Sequence, residues 1–174
     1  MKDQAERLRE LMRNKEKSRA ANKKAKVLAI TSGKGGVGKT NFAINLAISI
    51  KRLGHKVLVL DADLGLANVE ILTGTNAKYT ILDLILGRKS INEIIIHGPE
   101  EIKLISGGSG LEELSVMEDE NIIRLIEELE RLESSIDFII IDTGAGISNL
   151  VTKFVMAADE VIIVTTPDPT SIMD

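Results

Sequence analysis

Gly33-Lys-Gly-Gly-Val-Gly-Lys-Thr40 brings four glycines, two lysines and a hydroxyl together within eight residues. The spacing satisfies G-x-x-x-x-G-K-[ST] at every fixed position. Glycines allow backbone N–H groups to turn inward around phosphate oxygens. An apolar β-branched run precedes the loop and a helical apolar pattern follows it, so a helix N-terminus would face the same phosphates. Lys39 is expected to reach β- and γ-phosphates, and the Thr40 hydroxyl to ligate Mg²⁺. The expected cofactor-binding set is Gly33, Lys34, Gly35, Gly36, Val37, Gly38, Lys39, Thr40 and Asn41.

Three acids complete the candidate chemistry. Asp142 closes the apolar run Phe138–Ile141, and in an open α/β sheet ligands sit at that carboxyl end. It is expected to hold Mg²⁺ through water. Thr143 follows it where many ATPases carry a glutamate, so another group must orient an attacking water. Asp61 and Asp63 end a second apolar run, and strand alternation puts both on one side. Asp63 is expected to position the water, and Asp61 to stand in the outer shell of the metal. Asn68 either follows them into the site or caps a turn. His55 and His97 have no Ser or Cys partner in a motif and read as structural or solvated, and Tyr79 reads as packing. Ser106–Gly110 reads as a turn rather than a second anion loop.

The elements that must position these groups alternate. Strands are predicted over 26–32, 56–61, 102–106, 137–142 and 160–165. Helices are predicted over 40–53, 80–86, 91–95, 119–133 and 148–157, with 61–68 as a loop. Strands apolar throughout and separated by helices imply an α/β fold with a mostly parallel sheet flanked by helices. The apolar content of 44% against 2% aromatic requires an aliphatic core. No run approaches the roughly 18 apolar residues of a membrane span. The absence of cysteine excludes disulfides and cysteine-held metal clusters in this chain.

Charge divides the chain at the first strand. Residues 1–26 hold ten Lys/Arg against four Asp/Glu, within a total of 22 against 26. The expected organisation is a basic N-terminal arm over 1–25 and a phosphate-loop ATPase domain over 26–174, incomplete at its C-terminus. Residues 2–22 read as a helix, capped by Asp3 with Glu6 three residues on. Ala5, Leu8, Leu11 and Met12 form a short apolar stripe. Such an arm is either a solvated leader or a docking peptide that orders on a partner.

Lys34 at the loop's start, together with Lys39, Asp63 and Asp142, resembles the MinD/ParA ATPases of the class related to signal-recognition GTPases. Asp61-Ala-Asp-Leu-Gly-Leu-Ala-Asn-Val69 resembles MinD more than ParA. Asp3-Gln-Ala-Glu-Arg-Leu-Arg9 is similar to the Asp-Gln-Ala-x-x-Leu-Arg motif of the FlhG group (also called YlxH or FleN), MinD-like regulators of flagellar number and placement. The resemblance implies slow ATP hydrolysis with Mg²⁺ and an ATP-dependent homodimer. Lys34 would act across the dimer, with Lys39 and Asp63 as the other catalytic residues. Asp3, Gln4, Ala5, Leu8 and Arg9 would bind and stimulate the GTPase FlhF, with Gln4 near its GTP. The switch-complex proteins FliM, FliN and FliY are implied partners. The implied location is the cytoplasm, peripheral at the membrane's inner face through a C-terminal helix beyond residue 174. Asn41 stands where MinD often has a second threonine. A ParA-like DNA-segregation ATPase is the alternative, since the basic arm could bind DNA phosphates. A small-molecule kinase or ligase would need an acceptor pocket that no motif marks.

Overall fold

The computed structural model describes residues 25–64, 66, 68–108, 119–132 and 135–167. The arm, with Asp3, Gln4, Ala5, Leu8 and Arg9, lies outside those residues, as do Ser109 and Gly110. In order the elements are β1 (Lys26–Ser32), α1 (Lys39–Arg52), β2 (Val57–Ala62), α2 (Asn68–Thr73), α3 (Ile81–Ile85), α4 (Ile91–Ile94) and β3 (Ile95–His97). A 3₁₀ turn at Pro99–Glu101 follows, then β4 (Lys103–Ile105), α5 (Asp119–Arg131), β5 (Phe138–Ala145), α6 (Asn149–Ala157) and β6 (Glu160–Ile163).

The strands form one sheet in the order β3-β4-β2-β5-β1-β6. Every pairing is parallel except the outer β3–β4 pair. All six residues of β2 are buried, which explains why this strand reads as a continuous apolar run. Helices cover both faces. Leu58, Leu60, Ile139 and Ile141 pack with Ile81, Leu125 and Phe154 of α3, α5 and α6. Val57, Val59 and Ile140 pack with Ala43, Ile44, Ala47 and Val69 of α1 and α2. The architecture is thus the expected α/β sandwich, a mostly parallel sheet between two helical layers.

The structure corrects several expected boundaries. Among the described residues the sheet has six strands, not five: the helix expected over 91–95 stops at Ile94, and Ile95–His97 becomes an edge strand. A run of isoleucines serves either state, and antiparallel pairing with β4, six to ten residues on, decides it. The loop expected over 61–68 yields to a helix at Asn68. The strand expected to end at Asp142 runs on to Ala145, across a register shift in which Ile30 pairs with Asp142 but Ser32 with Ala145. That bulge re-aims the chain beside the phosphate loop. Among the described residues, no helix is long and apolar enough to cross a membrane.

Parallel pairing brings the carboxyl ends of β1, β2 and β5 to one edge as neighbours. The glycine-rich loop leaves β1 there, Asp61 leaves β2, and Asp142 leaves β5 in direct register with Asp61.

Candidate functional site

The loop is built for its sharp turns. Gly36 and Gly38 have φ of 75° and 94°, the left-handed region that side chains avoid. Gly38 is the N-cap of α1, and its carbonyl accepts the first helical bond, from the Phe42 N–H at 2.9 Å. The N–H groups of the first turn have no intrahelical acceptor and point out of the helix end. Ser32 Oγ donates to the Lys34 carbonyl at 2.7 Å and pins the loop's entry. The Gly146 N–H donates to the Ser32 carbonyl at 2.9 Å and ties the end of β5 to the same point.

Gly35, Gly36, Gly38, Lys39, Thr40 and Asn41 line an open cleft of about 660 Å³. Asp63, Leu66, Asn68, Ile71, Leu72 and Ala145 line its other side. Lys39 is buried, and Lys34 is half-buried at the mouth of the loop. Gly33 is exposed and Val37 half-buried, and neither they nor Lys34 line the cleft. Asn41 is exposed, and its Oδ1 accepts from Asn45 Nδ2 one turn on, at 2.9 Å.

The three acids have three different environments. Asp142 is fully buried, and no hydrogen bond of good geometry reaches either carboxylate oxygen, the Thr40 hydroxyl interacting with it only weakly. Burial raises its pKa to about 6, against the lowering effects of the Thr40 hydroxyl and the Lys39 charge. A buried carboxylate with no well-formed hydrogen bond, beside a lysine and a threonine hydroxyl, fits a hydrated divalent cation. Among the described residues, no three His, Cys, Asp or Glu side chains cluster as a metal site. A cation here would therefore be held jointly by Asp142, Thr40 and phosphate oxygens, and would neutralise charge on those phosphates when bound.

Asp61 is also fully buried, but both oxygens are engaged. Oδ1 accepts the Asp63 N–H and Oδ2 the Val69 N–H, each at 3.1 Å. Burial raises its pKa to about 7, opposed by the Val69 N–H and reinforced by the charge of Asp142. Its structural role is to turn the chain from β2 into α2. The bond to the Asp63 N–H is an Asx-type turn, so strand alternation ends at Ala62. Asp61 and Asp63 thus do not share one strand face as the spacing suggested. Asp63 is half-buried and lines the cleft, where its Oδ2 accepts from Asn68 Nδ2 at 2.9 Å. This settles the open reading of Asn68: its side chain holds Asp63.

Two further residues shape the site without any signal that spacing could supply. A Cβ on Gly144 would lie 3.1 Å from Asp63 Oδ1, so the bulge of β5 abuts that carboxylate. The Thr143 hydroxyl donates to the Ile30 carbonyl at 2.9 Å inside the sheet and is not available to a water in the cleft. His55 packs edge-on against the Phe138 ring, and His97 lies 3.0 Å from Glu101; neither lines the cleft.

Burial of the Asp142 carboxylate acts on stability. The native pKa of Asp142, about 6, lies above the ordinary 3.8, so between those values the folded chain binds more protons than the unfolded one. Stability therefore falls as pH rises through that window and stays at the lower level above it. Asp142→Asn should raise the melting temperature of the nucleotide-free chain by roughly several degrees at pH 8 and less at pH 5. Calorimetry at the two pH values checks this; a loss at pH 8 would remove the argument.

Comparison with known proteins follows the same lines. A family model described as an AAA domain matches residues 25–173. The chain is 41% identical over 148 residues to the antiactivator FleN of Pseudomonas aeruginosa, covering 85% of this chain and 53% of that protein. It is 44% identical over 176 residues to the flagellum site-determining protein YlxH of Helicobacter pylori, covering all of this chain and 60% of that protein. The chain thus spans little more than half the length of these relatives. Among solved structures, the septum site-determining protein MinD of Pyrococcus horikoshii, complexed with Mg-ADP, is 28% identical with a TM-score of 0.76, covering 86% of this chain and 61% of that one.

Proposed function

The chain belongs to the AAA domain family, in company with FleN, YlxH and the MinD ATPases, and from that premise we propose that it is an ATP-dependent switch governing flagellar number or placement. The observation that carries the reading is a cleft lined by Lys39 and Thr40 of the phosphate loop and by an Asn68-held Asp63, with the buried Asp142 interacting with Lys39 and Thr40 from beneath the lining. ATP binds with its phosphates in the loop, against the backbone amides of Gly35–Lys39 and the Lys39 ammonium. Thr40 and Asp142 would hold Mg²⁺ with the phosphates, where it would neutralise their charge, and Asp61, whose oxygens accept the Asp63 and Val69 N–H groups, would stand in the outer shell of the metal. Asp63 orients the attacking water, the task Thr143 does not perform. Hydrolysis is slow, and the nucleotide state is the output.

In this reading ATP closes a homodimer. The exposed Leu66, Ile71 and Leu72 at the cleft mouth are covered by the second copy, whose Lys34 reaches the nucleotide. The N-terminal arm, expected over 1–25 but giving way to the ATPase unit at Ala25, which is buried in that unit's core, stimulates the GTPase FlhF through Asp3, Gln4, Ala5, Leu8 and Arg9. The flagellar proteins FliM, FliN or FliY are further partners, and the protein works in the cytoplasm at the inner face of the membrane.

Solution mass of the Asp63→Ala protein with Mg²⁺-ATP and with Mg²⁺-ADP tests the switch. A dimer with ATP alone is expected. A monomer in both, with ATP demonstrably bound, would overturn the dimer and reduce Lys34 to a loop lysine.

A further inference from the structure

Helix α2 carries Asn68, and so the placement of Asp63, yet little apolar packing holds it. Val69 is its one fully buried apolar residue, while Ile71 and Leu72 are 78% and 46% exposed at the cleft. Six residues are far too few for a helix to persist on propensity. Polar bonds from three consecutive residues fix it instead. Asn68 Nδ2 holds Asp63, and the Val69 N–H is held by Asp61. The third residue, Glu70, points away from the cleft. Its Oε1 accepts from Ser106 Oγ at the end of β4, and its Oε2 accepts the Ala77 N–H at 2.8 Å.

Ser106 is a rigid mooring. It is 1% exposed, its Oγ also accepts the Gly108 N–H at 3.1 Å, and its carbonyl accepts the Ile81 N–H at 3.0 Å. The next residue allows no slack: a Cβ on Gly107 would meet the Asp61 carbonyl oxygen at 2.5 Å. The end of β4 is therefore wedged against the end of β2, and Glu70 ties α2 to that wedge.

We propose that Glu70 is the positioning residue for Asp63, acting through α2: by fastening the helix to Ser106 and Ala77 it holds Asn68 against the Asp63 carboxylate. The inference rests on reading the cleft as an ATPase site and deepens it. Glu70 touches no nucleotide, so its loss should leave binding intact and loosen only the geometry around the attacking water.

The test measures ATP turnover per bound nucleotide in the full chain for Glu70→Gln, which puts an NH₂ that cannot accept the Ala77 N–H in place of one carboxylate oxygen, and for Ser106→Ala, which removes the donor to the other oxygen. Both should fall about tenfold in kcat, with ATP affinity changed by less than about twofold. In an Asn68→Ala background, Glu70→Gln should cost nothing further, because the group through which it acts is gone. A merely structural role predicts the opposite: losses that multiply in both backgrounds and follow the melting temperature. Should Glu70→Gln not fold, the Ser106→Ala and Asn68→Ala pair carries the same cycle. Wild-type turnover with unaffected variants overturns the role of Glu70 and leaves the proposed function standing. No turnover in the wild type overturns both.

Discussion

Replacing Lys39 with alanine should weaken ATP binding by about 100-fold or more, since truncating one partner of a buried charge pair costs about 2–5 kcal/mol. Lys39 is 7% exposed at the first position of α1, beneath the loop whose amides would cradle the phosphates. No other described lysine combines burial with a place in the cleft lining. The substitution should also act on the protein itself. The Lys39 charge opposes the effect of burial on Asp142, so its removal should raise the pKa of that carboxylate further and reduce its readiness to share a cation. Titration with a fluorescent ATP analogue, beside the melting temperature of the variant, measures both parts. Binding within about threefold of the wild type, in a folded variant, would refute the assignment of the loop.

Asp63→Ala should separate binding from hydrolysis. Asp63 lines the cleft opposite the phosphate loop, between the Asn68 amide and the Gly144 backbone, and is not part of the loop that would hold the phosphates. A side chain that orients a water or accepts its proton contributes about 10²–10⁴ in rate, and turnover should fall by that order. ATP affinity should stay within a few-fold, because the phosphate-loop amides and Lys39 are untouched. Single-turnover measurement with trapped radiolabelled ATP distinguishes the two quantities. Normal turnover in the variant would exclude Asp63 and turn attention to the remaining polar groups of the cleft.

The contrast between Asp63 and Asp61 marks where sequence reasoning stops. Both end the same apolar run, and period-two alternation treats them alike. In the fold, the Asp61 carboxylate accepts two backbone N–H groups and bends the chain, and that bend frees Asp63 from the strand. Two chemically identical residues, two positions apart, acquire different tasks through bonds to amides at residues 63 and 69. Thr143 is a second case. Its identity shows only that a glutamate is missing; its bond to Ile30 shows that the hydroxyl serves the sheet.

By itself the sequence determined the phosphate loop, the alternation of strand and helix, the aliphatic core and the candidate acids. These depend on glycine, lysine and apolar residues at short fixed spacings, and local sterics and periodicity act over such distances. The tertiary structure alone decided the strand order, which sets β2 and β5 side by side and pairs Asp61 with Asp142 across a distance of 81 residues in the chain. It alone made Ile95–His97 a strand, carried β5 through its bulge to Gly144, and joined Glu70 to Ser106. Apart from the pairing of β3 with β4, whose partners lie six to ten residues apart, each of those outcomes rests on a contact between residues far apart in the chain, whose free energy no local window contains.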